Sequence, residues 1–463
     1  MNVLADVLFL PLRGSERAFL TLADGSVITG GAFLDGASRL ANHLMRQGFQ
    51  PGDRLAAQVE KTPEGLQLYA ACVLAGVVFL PLNTAYTGAE LDYFVADSGA
   101  RLLVKDAVAL AHQALAESSE FQPVARGPDD LAALLYTSGT TGRSKGAMMT
   151  HDNLLSNALT LKDVWGFGAD DVLLHALPIF HTHGLFVATN TVLASGASMI
   201  FLPKFDAAQV LDLLPRASVM MGVPTFYTRL LADPRLDRAR TAGVRLFISG
   251  SAPLLAETHR AFEARTGQRI LERYGMTETN MNTSNPLHGE RRAGTVGLPL
   301  PGVEVRLTGE NGMIEVKGPN VFKGYWNMPE KTAAEFTADG FFITGDLGRF
   351  DADGYLEIVG RAKDLIISGG LNVYPKEVEE ALDALPGVIE SAVIGVPHPD
   401  FGEGIVAVYT GSAEPLALET ALAERLARFK QPKHYIRVAE LPRNAMGKVQ
   451  KAELRKQFSA VFM

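Results

Sequence analysis

Leu134-Leu-Tyr-Thr-Ser-Gly-Thr-Thr-Gly-Arg-Ser-Lys-Gly146 joins an apolar, strand-like run to a polar loop, Thr137–Gly146. Gly139, Gly142 and Gly146 let the backbone approach a ligand closely, Ser and Thr hydroxyls add donors, and Arg143 and Lys145 add positive charge. Backbone N–H groups turned inward in such a loop form a cradle for an anion. It is not a Walker A loop, which needs Gly-Lys-Ser/Thr, because Ser144 precedes Lys145 and Gly146 follows it. A solvated surface loop is the competing reading. A polar loop with two cations abutting a buried strand fits phosphate binding better, but it names no reaction.

Outward from the loop, short apolar runs alternate with longer helical patterns. Val77–Leu82, Ala132–Tyr136, Ser198–Leu202 and Arg245–Ser249 read as buried strands, and Glu90–Asp97, Asp152–Leu161, Ala207–Leu214 and Leu255–Thr266 as helices. Such alternation predicts parallel sheets with helices on their faces. The texture changes near Asp346–Asp364. There Gly345-Asp346, Asp353-Gly354 and Gly360 punctuate short strands, ahead of a helix opening at Pro375 and a strand at Ser391–Val396. The expected fold class is α/β. Residues 1–361 form a large N-terminal domain of parallel and mixed sheets flanked by helices, and residues 362–463 a small α+β domain. No tandem repeat or low-complexity linker interrupts the chain.

Composition excludes several classes. The chain has 463 residues, 47% hydrophobic and 20% charged, too many for one core. A net charge of −8 without a long basic run leaves no nucleic-acid footprint. Cys72 is the only cysteine, so an intrachain disulfide and a Cys-based zinc site are both excluded, and its apolar surroundings point to a buried thiol. MNVLADVLFLPLRG lacks a basic start, so a signal peptide is not expected. Leu173–Pro203 has no charged residue, but it is broken by Pro178, three His and several small polar residues, unlike a membrane span. A cytoplasmic protein without membrane or nucleic-acid partners is expected, as a monomer or weak homo-oligomer.

Further segments carry chemistry. In Glu272-Arg-Tyr-Gly-Met-Thr-Glu278, a Tyr before Gly can stack on a purine, and Glu278 is a hard oxygen ligand suited to Mg²⁺. Ser249-Gly-Ser-Ala-Pro253 is a glycine turn after a strand. Thr344-Gly-Asp346 and Gly360-Arg-Ala-Lys-Asp364 would each pass for turns if taken alone. In Pro442-Arg-Asn-Ala-Met-Gly-Lys448, a flexible Gly precedes a cation able to enter and leave a site, although a solvated charge is the ordinary fate of such a lysine.

In this order, and over essentially the whole chain, these segments resemble the adenylate-forming superfamily of acyl-CoA synthetases, luciferases and adenylation domains. The resemblance implies ATP, Mg²⁺ and CoA as cofactor or co-substrates. Thr137, Ser138, Gly139, Thr140, Thr141, Gly142 and Lys145 would hold the phosphates. Ser251, Ala252, Glu272, Arg273 and Tyr274 would line the adenine side, with Thr277 on the α-phosphate and Glu278, aided by Thr137, at the metal. Asp346 and Arg361 would take the ribose. Lys363 would be the hinge of a mobile C-terminal domain, Gly369 and Gly370 would line the pantetheine path, and Lys448 would be the catalytic lysine. Within the superfamily, FHTHGLF (Phe180–Phe186), MTETNMNTSNP (Met276–Pro286) and MGVPTFYTRLL (Met221–Leu231) resemble the malonyl-CoA synthetases. That likeness implies malonate as the acid, Arg291 as partner of its distal carboxylate, and Thr182, His183 and Met281 around a small pocket. Arg292 competes with Arg291, and the choice between malonate and methylmalonate stays open. His181 and His183 have His-x-His metal spacing but no evident third ligand, so pocket shaping is the better reading. The loops at Leu103–Pro128 and Gly309–Met313 are shorter than the family suggests. Two alternatives remain: an adenylation enzyme loading a carrier protein, and a catalytically silent nucleotide-binding protein.

Overall fold

A computed structural model of the chain describes residues 1–137, 144–369, 371–444 and 447–462. Ser138, Gly139, Thr140, Thr141, Gly142 and Gly370 lie outside the described residues. By contact density the chain divides into two compact units. One comprises Met1–Leu254, Thr258–Val305 and Val316–Phe342, the other Leu255–Glu257, Arg306–Glu315 and Ile343–Met463.

Two sheets organise the first unit. The smaller runs in the order Leu102–Val104, Arg54–Ala57, Val78–Pro81, Leu131–Thr137, Lys145–Thr150. Its first four strands are parallel and the last antiparallel. The larger has a parallel centre in which Phe247, Met220 and Leu174 occupy neighbouring strands, all fully buried. Its antiparallel margin pairs Ile270–Met276 with Asn280–Ser284. Strands buried on both faces read as unbroken apolar runs, which is why VMMG (Val219–Gly222) and LFIS (Leu246–Ser249) carry no alternation.

The expected helices are present with small shifts at their ends. The helix His151–Val164 is capped by Thr150, whose hydroxyl accepts from Asn153 N at 3.1 Å while Asn153 Oδ1 accepts from Thr150 N at 2.9 Å. Asp152 sits within the first turn, because the reciprocal Thr150–Asn153 box satisfies the orphan amides and places the cap at Thr150. Cys72 is buried in the helix Pro63–Ala75.

In the second unit the strand Phe342–Phe350 pairs antiparallel with Leu356–Arg361. The hairpin Ile366–Ser368/Leu371–Val373 joins a sheet whose centre is Val388–His398 against Gly402–Gly411. Pro375 opens a helix to Asp383, as its missing N–H predicts. The pared loop at Gly309–Met313 is a tight turn. Gly312 has φ +68°, and a Cβ there would stand 2.3 Å from Gly348 O, so no side chain fits.

Candidate active site

The anion loop is anchored at both ends by sheet register, since Thr137 pairs with Lys145 across the hairpin. Tyr93 Oη donates to Ser144 O at 2.8 Å, and Tyr136 Oη to Asp97 Oδ2 at 2.5 Å, fixing the loop's base. Lys145 Nζ lies 3.2 Å from Glu335 Oε1 and 4.1 Å from the centroid of the Tyr325 ring. Tyr325 Oη lies 2.7 Å from Glu335 Oε2 and 3.1 Å from Glu278 Oε1, and its single proton serves one carboxylate at a time. Thr137 Oγ1 is 3.4 Å from the same Glu278 oxygen. Thr137, Lys145 and Glu278 are therefore brought together, as the sequence implies.

Glu278 is buried, and that burial raises its pKa above the usual carboxylate value. A carboxylate that is costly to keep charged in this position is suited to a hard cation. Among the described residues no three His, Cys, Asp or Glu side chains cluster as a self-sufficient metal site.

Tyr274 and Gly275 share an irregular step in the strand pairing. A Cβ on Gly275 would lie 1.8 Å from Asn280 O and 2.5 Å from Met281 Cε, so glycine is required for the turn to close beneath Met281. Asn280 takes φ +48°, a conformation Asn tolerates better than most residues.

A second cluster lies at the start of the segment His183–Thr189, a wide helical turn of the kind frequent at functional sites. His183 Nδ1 is 3.2 Å from Ser251 Oγ, and Ser251 holds a left-handed φ of +71°. His183 Nε2 has no hydrogen-bond partner among the described residues. Arg273, 3% exposed, likewise has unpartnered Nε and Nη2 groups. Burial lowers its pKa to about 9, so it remains a cation at neutral pH. Burial, and then the Arg273 charge, hold His183 far below its ordinary pKa and therefore neutral. Thr182 Oγ1 is also buried without a partner, and Met281 is 2% exposed.

Arg291 is placed differently from expectation. Its guanidinium donates to three backbone carbonyls, Pro286 O at 3.3 Å, Arg269 O at 2.7 Å and Leu287 O at 3.1 Å. Three of its five N–H groups are thus engaged with main chain, which ties the guanidinium to its loop. Arg292 pairs with Glu290 at 3.0 Å.

In the second unit, Asp346 and Arg361 face each other across the strand pair, with Nε–Oδ1 at 2.9 Å. Thr344 Oγ1 accepts from Asp346 N at 3.1 Å and donates to Ile314 O at 2.8 Å, fixing the buried carboxylate. Lys363 lies on the turn Ala362–Asp364. Gly369 has φ +60° and donates to Phe401 O at 2.8 Å. Lys448 is exposed, with its N–H on Asn444 Oδ1 at 3.0 Å, next to Gly447 at φ +75°.

The AMP-binding enzyme family profile matches residues 13–326, and the profile of its C-terminal domain matches 377–448. The chain belongs to the AMP-binding enzymes. It is 37% identical to a feruloyl-CoA synthase of an Amycolatopsis species, over 96% of this chain and 97% of the relative. It is also 37% identical to the malonate–CoA ligase of Arabidopsis thaliana, over 82% and 70%. Among solved structures it superposes on ATP-bound MatB from Rhodopseudomonas palustris with a TM-score of 0.97 and 54% identity, covering 100% and 99% of the two chains. The motifs that marked the family in this sequence are glycine turns and the few charged residues they present. Tyr325 and Glu335 escaped sequence reading because they lie outside those motifs and acquire meaning only from what they touch.

Proposed function

We propose that this adenylate-forming acyl-CoA ligase converts malonate, ATP and CoA to malonyl-CoA, AMP and pyrophosphate through a malonyl adenylate. The observation that carries the reading is Arg273, a buried guanidinium whose Nε and Nη2 nitrogens are unpartnered among the described residues. An uncompensated buried charge costs several kcal/mol, and a carboxylate of the substrate removes that cost while taking a bidentate pair of bonds. His183 adds a third contact. With Ser251 O–H donating to Nδ1, neutral His183 keeps its proton on Nε2 and offers it to the same carboxylate. The likeness to the malonate–CoA ligase and to MatB supports malonate as the acid. In this reading the distal carboxylate belongs to Arg273 and His183, not to Arg291, while Thr182 and Met281 limit the pocket to a short chain.

The other carboxylate attacks the α-phosphorus of ATP, and pyrophosphate leaves. Both reactants are anions, so the task is to neutralise charge and hold geometry. Lys145 and the loop after Thr137 bind the phosphates, Tyr274 stacks on adenine beside Ser251, Ala252 and Glu272, and Asp346 with Arg361 takes the ribose hydroxyls. Thr277 and Lys448 stabilise charge at the α-phosphate. Mg²⁺, held by Glu278 with help from Thr137, supplies further neutralisation of the phosphates when bound. Rotation about Lys363 then admits the CoA thiol along Gly369 and Gly370, and the thiolate displaces AMP. Among the described residues no helix is long and apolar enough to cross a membrane, and the small soluble substrates agree with a cytoplasmic setting.

The test is AMP release with CoA across short mono- and dicarboxylic acids. Malonate, alone or with methylmalonate, should have the highest kcat/KM. A preference for propionate or acetate, or product formed only on a carrier protein, overturns the reading.

A further inference from the structure

Lys61 is 8% exposed, and its ammonium stem ends 4.4 Å from the centroid of the Phe201 ring. Its Nζ lies 2.8 Å from both Nδ1 and O of His175, a residue with no exposed surface. His175 Nε2 in turn lies 2.9 Å from Gly184 O, which also accepts from Thr189 Oγ1 at 3.0 Å. The carbonyl only accepts, so Nε2 carries the proton. The neutral ring then presents a lone pair at Nδ1, which the Lys61 N–H fills. Burial, reinforced by the Lys61 charge, holds His175 far below its ordinary pKa and agrees with that neutral tautomer.

Burying an amine is expensive, and a packing role alone would be met more cheaply by Leu or Met. The relay ends at Gly184, next to His183. Gly184 is itself pressed on its neighbours, and a Cβ there would lie 2.0 Å from Pro178 O. The backbone from Pro178 to Gly184 is therefore held from two sides, by Pro178 O and by the His175 hydrogen bond. The backbone that carries His183 is thereby fixed, and with it the starting point of the His183 side chain.

We propose that Lys61 and His175 are positioning residues for acid binding, fixing Gly184 O and thereby the orientation of His183 toward the substrate's carboxylate. This rests on the reading of His183 as an acid-binding group. Neither side chain touches a reacting atom. Their effect is on how well the acid is held, not on ATP.

Steady-state kinetics of four variants test this, using the acid that wild type turns over best. Lys61→Met keeps the stem and removes the donor. His175→Gln keeps an N–H for Gly184 O, whereas His175→Leu does not. Val210→Ala, which removes methyl groups from the core cluster that also holds Leu174 and Ala176 but lies outside the hydrogen-bonded relay, is the control for lost stability. Lys61→Met and His175→Leu should raise KM for the acid roughly tenfold, with KM for ATP within about twofold of wild type. His175→Gln should recover most of the acid KM, and Val210→Ala should leave it unchanged at comparable thermal destabilisation. An unchanged acid KM, or equal rises for acid and ATP, overturns the proposal. If Lys61→Met yields no folded protein, the His175→Gln and His175→Leu pair decides: equal acid KM values overturn it. If the best acid proves not to be malonate while Lys61→Met still raises its KM, the malonate reading fails and the positioning role stands.

Discussion

The Arg273 guanidinium lies flat beneath Gly250, where a Cβ would stand 2.4 Å from Cζ. Glycine at 250 thus gives the buried cation a seat that any side chain would occupy. Two consequences are measurable. Arg273→Met should lower kcat/KM for malonate by roughly a hundredfold, about 3 kcal/mol, because a buried ion pair is lost. It should change that for propionate far less. Gly250→Ala should act in the same direction by displacing the guanidinium. Parallel malonate and propionate titrations check both, and equal losses for the two acids would sink the assignment.

Arg291 is expected to behave as a structural residue. Arg291→Met removes donors from three carbonyls. At about 1 kcal/mol each before compensation by water, the variant should lose a few degrees of melting temperature. Its malonate KM should stay near wild type. A large, malonate-selective rise in KM at unchanged stability would return the carboxylate to Arg291.

These two arginines also mark the limit of what the sequence discloses. The buried strands, the Pro375 helix and the nucleotide motifs were legible because buried parallel strands, helix starts and glycine turns each have a local signature. Guanidinium direction has none. Arg273 sits in a nucleotide motif but turns toward Gly250, whereas Arg291, in a polar loop downstream of the acyl motif, turns to main-chain carbonyls. Glu335 has no motif around it in PEKTAAEF, and its partnership with Lys145 depends on a contact across 190 positions. Lys61 gave no sign at all, because burial of an amine is visible only once the strand ending at His175 is in place.

Glu278 and Tyr325 are coupled by one phenolic proton, with Lys145 over the ring. Glu278→Gln keeps the shape but removes the charge that a divalent cation needs. Pyrophosphate–ATP exchange should fall roughly a hundredfold and require higher Mg²⁺, as expected for loss of one preorganised electrostatic group. An unchanged Mg²⁺ dependence would show that the ion is held elsewhere.

Lys448 follows Gly447, whose φ of +75° gives the segment a glycine-only turn just ahead of the cation. Lys448→Ala should depress adenylation by roughly two to three orders of magnitude. Thioester formation from preformed malonyl adenylate and CoA should remain within a fewfold of wild type. Single-turnover assays of each half-reaction separate the steps, and equal losses in both would refute a role confined to adenylation.

Asp383 closes the helix Pro375–Asp383, where the negative end of the helix dipole meets a half-buried carboxylate. Burial, partly offset by a hydrogen bond from Ser391 and augmented by Glu379 and Glu390, raises its pKa from 3.8 to about 7. Between those values the folded protein retains a proton that the unfolded chain has released. Stability from this group is therefore complete below about pH 4, declines as pH rises toward 7, and is flat above that. Asp383→Asn removes the titration. At pH 8 the variant should be more stable by roughly 1–2 kcal/mol, allowing for solvent screening of a carboxylate that is not fully enclosed. The advantage should shrink toward pH 4, where the native carboxyl is neutral as well. Calorimetric melting of the full chain and of Asp383→Asn from pH 4 to 8 checks this, and parallel stability profiles would show that Asp383 titrates as an ordinary surface carboxylate.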